Sequence, residues 1–428
     1  MPDHPQAYRA SLLQFSGPSG HYQYFADGLL IVRSQRILAC GPASALLARW
    51  PEPLPVTDYS GQLICAGFVD CHSHYPQLDI IASYGDQLLD WLENYTFPEE
   101  QRFADYRYAR HQAGQFLQTL LQQGTTSAMV FATVHPQSVD AFFEQALALN
   151  LRMICGKVLM DRHAPTALCD TAETGEADSR QLIGRWLGRG RLHYAVSPRF
   201  APTSSPQQLQ RAGQLLRDCP GLYLHTHLAE NRREIRWVRE LFPERTSYLD
   251  VYDHYGLLGP HSLFAHALHL EEQEYRRLGE SGSAVAFCPS ANLFLGSGLL
   301  NLARMQHHGI RVGMGTDIGA GTSCSVLQAL HEAYKVLQLQ GQSLDPFRAF
   351  YLATLGGARA LGLEQHIGSL EPGKEADFVV LDLQATPLLA RRIAQARNLK
   401  EQLFALMMLG DSRAVRATYV SGTRVHGC

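Results

Sequence analysis

The sequence predicts an α/β protein, a (β/α)8 barrel with a small β domain built from the N- and C-terminal segments. Three observations carry this. Eight short apolar runs rich in β-formers alternate with helical stretches, each run ends in polar residue types, and further strand-like segments lie at both ends of the chain. Parallel strands covered on both faces read as continuous apolar runs, and eight of them alternating with helices are the pattern of a TIM-like barrel. At 428 residues the chain exceeds the roughly 250 that such a barrel needs, which leaves room for a second unit.

The eight runs are LICAGFVDCHSH, TSAMVFATVH, RMICGKVLMD, LHYAVSPRF, LYLHTHLAE, SLFAHALHL, AVAFCPSANL and RVGMGTDIGAG. Between them, segments such as FADYRYARHQAGQFLQTLLQQG and PQQLQRAGQLLRDC place apolar residues three and four apart, the period of an amphipathic helix. The flanks carry DGLLIVRSQRILACG near the N-terminus and EADFVVLDL and ATYVSGTRVHG near the C-terminus, the last with a hairpin step at Ser421-Gly422. The expected division is residues 1–62 and 366–428 for the two parts of the β domain and 63–365 for the barrel.

Composition narrows the function. The chain is 46% hydrophobic and 18% charged, with a formal net charge of -3, so it lacks the basic footprint of a nucleic-acid or membrane-surface binder. A small neutral substrate fits better. Nine scattered cysteines without a CxxC pair suit reduced thiols in a cytoplasm, not a disulfide framework or a thiolate metal site. Neither a signal-type N-terminus nor an apolar run of about 18 residues is present, so a soluble, unexported protein is expected.

Chemistry in such barrels sits at the C-terminal ends of the strands. The first run delivers His72 and His74, which leave the same face of an extended strand because they are two residues apart, while Cys71 and Ser73 face the other way. The fifth run delivers His227 with Glu230 three residues on, the sixth His266 and the eighth Asp317. Each histidine alone reads as an ordinary core or surface residue. Together they make a site for one divalent metal, zinc or iron, since both accept nitrogen and oxygen donors. Such an ion lowers the pKa of water to about 7. Glu230 is then placed to protonate a ring nitrogen of the substrate, although a first-turn glutamate favoured by the helix dipole reads the same way. Asp317 is a candidate ligand and carrier of the water proton, among glycines that let the backbone turn sharply.

With these residues assembled, the chain resembles the amidohydrolase superfamily, and within it the guanine deaminases. The likeness runs through GFVDCHSHYPQ, LLDWLENYTFPEE, GTTSAMVF, SPRFAPTS, HTHLAENRREI, FAHALHL, FCPSANLFLGSGL, GMGTDIGAG and PGKEADFVVLD. It implies hydrolysis of guanine to xanthine and ammonia on one metal, in purine catabolism or salvage, by a homodimer. By this resemblance His72, His74, His227 and Asp317 are ligands, His266 steadies the reacting water or joins them, and Glu230 shuttles protons. Gln77 is then the hydrogen-bonding partner of the purine edge, Arg199 that of the exocyclic oxygen, and Phe200 packs on the ring. These roles suit an amide, a fixed cationic donor and an aromatic face.

His225 shares a strand face with His227 but lies one layer deeper and reads as a core histidine. Lys157 falls on the third run, whereas a carboxylated lysine bridging two metals belongs on the fourth, so one metal is expected. Trp91, Tyr95 and Phe97 suit a lid, an interface or packing. The other zinc-deaminase signature, H-x-E with P-C-x-x-C, is absent. The rival readings are an amidohydrolase acting on 8-oxoguanine, cytosine or an imidazolone, and a catalytically inactive barrel kept as a scaffold.

Overall fold

The computed structural model describes residues 4–50, 54–85 and 87–427, and in it two sheets share the chain. The N-terminal part contributes β1 (Gln6–Ser16), β2 (His21–Arg33), β3 (Arg36–Pro42) and β4 (Val56–Ala66) to the first sheet. The barrel sheet follows as β5 (Phe68–His74), β6 (Thr125–Phe131), β7 (Arg152–Gly156), β8 (Val158–Leu159), β9 (His193–Pro198), β10 (Tyr223–Leu228), β11 (Ser262–His266), β12 (Ala284–Phe287) and β13 (Arg311–Met314). The chain then returns to the first sheet with β14 (Phe378–Leu381), β15 (Val415–Val420) and β16 (Thr423–Gly427).

The last seven apolar runs and the second half of the first fall on the parallel sheet, which runs from β5 round to β13; the third run is interrupted, with the short β8 pairing to β9. The first run divides where the sequence showed no break. Leu63 to Ala66 pair antiparallel with β14, and only from Phe68 does the chain enter the barrel. Gly67 marks the step: a Cβ there would sit 2.2 Å from Thr126 Oγ1, too close for any side chain. The seam between β13 and β5 closes through a few specific bonds. Asp317 N–H donates to the His72 carbonyl (2.8 Å), His74 N–H donates to the Ile318 carbonyl (2.8 Å), and the buried Asp70 carboxylate accepts from both the backbone and hydroxyl of Thr316.

Amphipathic helices cover the barrel where their periodicity predicts. Asp105 caps Tyr106–Gln122 and Ser205 caps Pro206–Asp218, each accepting from backbone N–H groups of the first turn. In the terminal sheet Ser34 and Gln35 both take positive φ at the β2–β3 turn, and Ser421 and Gly422 do so at the β15–β16 turn. The C-terminal segment is not purely β: helices Pro387–Ile393 and Leu399–Leu409 lie between β14 and β15, the second packing on the helix Val326–Gln338. A buried ion cluster joins the two sheets beneath the barrel. Glu375 accepts from Arg152 and Arg191, and Arg191 Nη1 also reaches Asp377 at 2.8 Å. All eight cysteines among the described residues are free, and no helix among them is long and apolar enough to cross a membrane.

Candidate active site

Four strand ends converge on one point. Asp317 Oδ1 lies 3.1 Å from His72 Nε2 and 3.4 Å from His74 Nε2, while His74 Nε2 lies 3.3 Å from His72 Nε2 and 3.2 Å from His227 Nε2. His72, His227, His266 and Asp317 each bring a donor atom within 4.8 Å of all the others. Burial pushes the His72 imidazole down to about 3 and those of His74, His227 and His266 well below their usual value, so all four are neutral donors. The same burial raises the Asp317 carboxyl to about 6.

These residues fit a divalent ion. Unprotonated ring nitrogens about 3 Å apart repel unless a cation lies among them, and His266 Nε2 is buried without a hydrogen-bond partner. Outer hydrogen bonds hold the rings in the orientation a ligand needs. His227 Nδ1–H donates to the Arg199 carbonyl (2.7 Å), and His72 Nδ1 bonds His225 Nε2 (2.7 Å), so both Nε2 atoms face inward. His225, placed one layer deeper by the sequence, is therefore the hydrogen-bond partner that orients the His72 ring. Phe131 at the end of β6 stacks on His74, with ring centroids 4.8 Å apart.

The strand ends are strained. Ala229, His266, Ala267 and Asp317 all take positive φ, a region non-glycine residues seldom enter outside functional sites. The glycines around Asp317 do a different job from the turning expected of them. Gly315, Gly319 and Gly321 are needed for close approach, because a Cβ would meet Cys288 Sγ, the Gln77 carbonyl or the Thr316 carbonyl within 2.7, 2.5 and 1.8 Å respectively. The sharp turn is made by Asp317 itself.

A cavity opens beside the cluster, lined by His74, His227, His266 and Asp317 together with Gln77, Arg199, Phe200, Trp91, Leu92 and Glu230. Glu230 accepts from Ser297 Oγ (3.0 Å) and lies 3.4 Å from His266 Nε2. Burial, with Asp317 and Glu234 nearby, raises its carboxyl well above the usual range. The helix-dipole reading of Glu230 is corrected: helix Arg232–Leu241 begins after the cap Asn231, and the first-turn acid is Glu234, which accepts from the N–H groups of Glu230 and Asn231. Glu234 thus fixes the turn that aims Glu230.

Every residue proposed from sequence is at this site. Lys157 is buried against Asp170, which accepts from it, and is no metal bridge. Cys71 points away, toward the Gly357 carbonyl. Trp91 lines the cavity, and Phe97 lies under Arg199, with Cζ 5.7 Å from the ring centroid. Besides Glu234, Glu100 was missed from the sequence. Glu100 is fully buried and accepts from Arg199 Nη1 with both oxygens (2.8 Å each) and from Gln77 Nε2 (3.0 Å). A glutamate in a polar stretch gives no local sign of such burial.

A barrel with this strand-end cluster is the architecture of a metal-dependent hydrolase, and the model of the amidohydrolase family matches residues 63–425: the chain belongs to that family. It is 52% identical over 404 residues to the guanine deaminase of Escherichia coli (strain K12), covering 94% of this chain and 92% of that one. The solved E. coli guanine deaminase superposes with a TM-score of 0.96 at 50% identity, covering 99% of each chain. A guanine deaminase from C. acetobutylicum, solved with guanine bound in its active site, superposes at 0.89 with 27% identity over 99% of this chain and 100% of that one.

Proposed function

We infer that the protein is a guanine deaminase, hydrolysing guanine to xanthine and ammonia. The observation that carries this is the cavity in which the cluster of neutral histidines and Asp317 faces Gln77, Arg199 and Phe200, with Glu230 also in its wall. A wall of two polar donors and an aromatic face suits a flat ring bearing a carbonyl.

One zinc ion held by His72, His74, His227 and Asp317, with His266 beside them, would supply hydroxide at neutral pH by lowering the pKa of water to about 7. The protein then moves protons. Asp317 accepts the proton lost by the water. Glu230 gives its proton to the ring nitrogen next to the amino-bearing carbon as hydroxide adds to that carbon. When the carbon–nitrogen bond breaks, Asp317 returns its proton to the departing amine, which leaves as ammonia. Glu230 recovers a proton from the new hydroxyl as the carbonyl forms, so guanine and water balance xanthine and ammonia. Gln77 and Arg199 hold the ring edge, and Phe200 packs on its face.

The reading extends to a homodimer working in the cytoplasm in guanine catabolism or salvage; the free cysteines support a reducing compartment. The test is ammonia release from guanine by zinc-loaded protein, with xanthine followed by ultraviolet absorbance and Glu230→Gln as the blank. Equal xanthine and ammonia that vanish in the blank are expected. No turnover by metal-replete protein would overturn guanine as the substrate and turn attention to 8-oxoguanine and cytosine.

A further inference from the structure

Gln77 and Arg199 come from different strand ends, yet one buried carboxylate holds both. Glu100 lies on the helix Phe97–Gln101, behind the wall they form. Its two oxygens accept from Arg199 Nη1 at 2.8 Å each, and Oε1 also accepts from Gln77 Nε2 at 3.0 Å. The Gln77 amide is held at its other end too, where Oε1 accepts the Gly319 N–H at 3.0 Å. With oxygen and nitrogen tied to opposite partners the amide cannot flip. Among the described residues Arg199 spends only Nη1 on a side-chain partner, so Nε and Nη2 are left for a ligand. Gln77 keeps one N–H. The wall therefore offers donors only, and the Glu100 charge offsets the buried guanidinium behind it.

We propose that Glu100 is a positioning residue which fixes Gln77 and Arg199 as a donor-only wall and thereby selects a purine with an oxygen at C6 over one with an amino group there. The C6 carbonyl and N7 on the same purine edge both accept from this wall. An exocyclic amine would set donor against donor in a buried place and leave both unsatisfied. This proposal rests on reading a purine as the ligand of the cavity, and adds to that reading the group that enforces its choice.

The experiment compares metal-replete wild type, Glu100→Gln, Arg199→Met and the double variant. Guanine kcat and KM are measured, along with the inhibition or dissociation constants of hypoxanthine, which carries the oxygen, and adenine, which carries the amine. Glu100→Gln keeps an oxygen for both partners but removes the charge and sets its amide N–H groups against Arg199 Nη1 where Oε2 now accepts, so KM for guanine and the constant for hypoxanthine should each rise about tenfold or more, as loss of a buried charged contact predicts. The value of kcat should hold within about threefold, since uniform binding is what is lost. Adenine should not weaken, and the hypoxanthine preference should shrink. In the Arg199→Met background the second change should add less than about threefold, because coupled partners are not additive. Equal weakening of both purines, no weakening of either, or full additivity would overturn the proposal. If Glu100→Gln does not fold, Arg199→Met and the double variant carry the test: equal purine preference is expected, and a further tenfold loss overturns it. Wild type that binds hypoxanthine over adenine yet turns over no guanine would sink the substrate assignment and leave the Glu100 role standing.

Discussion

The backbone N–H of Asp317 donates to the carbonyl of His72 at 2.8 Å, and its carboxylate lies 3.1 Å from Nε2 of the same residue. The bond that closes the barrel seam and the contact that closes the metal cluster are thus made by one pair. Asp317 reaches both partners because its φ of 51° turns the chain back over the seam.

His72→Ala should strip the protein of metal. Its ring nitrogen is the one within reach of both His74 and Asp317, and loss of a direct donor should weaken binding by more than the 10–100-fold typical of an outer partner. Metal per chain, measured by atomic emission after gel filtration, should fall well below one. Undiminished metal would remove the cluster from consideration as the binding site.

Glu230→Gln should keep metal and lose turnover. The change preserves shape and the Ser297 contact but removes the transferable proton, so kcat should drop by about 10²–10⁴. A rate within a fewfold of wild type would take Glu230 out of the mechanism.

His225→Phe probes the layer beneath. The phenyl ring fills similar space but cannot bond His72 Nδ1, so metal affinity should fall about 10–100-fold in a chelator competition. Unchanged affinity would reduce His225 to packing.

Glu375→Ala should act on stability and not on chemistry. It leaves the buried Arg152 and Arg191 guanidiniums short of a partner, at a cost of about 3–5 kcal/mol, seen as a lower Tm with kcat little changed in the surviving fold. Burial alone would raise the Glu375 carboxyl, yet Arg152 and Arg191 outweigh it and hold it below the usual range. A depressed value means that its stabilisation is complete above the unfolded value of about 4.3 and is lost as pH falls through the folded one, so the deficit of the variant should shrink in acid. A pH-independent deficit would contradict this.

Much was legible because it is local. His72 and His74 share a face through the two-residue period of a strand, and the eight apolar runs reflect burial on both sides of a parallel sheet. The division of the first run at Gly67 was not legible. Leu63–Ala66 are as apolar as the barrel strand that follows, and only their pairing with β14 assigns them elsewhere. The helices between β14 and β15 escaped notice beside the stronger strand signals that flank them.

By itself, then, the sequence determined the barrel, the residue types at its strand ends and, through spacing, the pair of histidines that begins the metal cluster. The tertiary structure alone decided which more distant groups serve them. Glu100 meets Arg199 across 99 residues, and His225 meets His72 across 153. Glu234 lies near Glu230 in the chain, but its role depended on where the helix begins. A buried carboxylate or an orienting imidazole acquires its partner only when strands far apart in the chain are packed side by side, and no short-range pattern records that meeting.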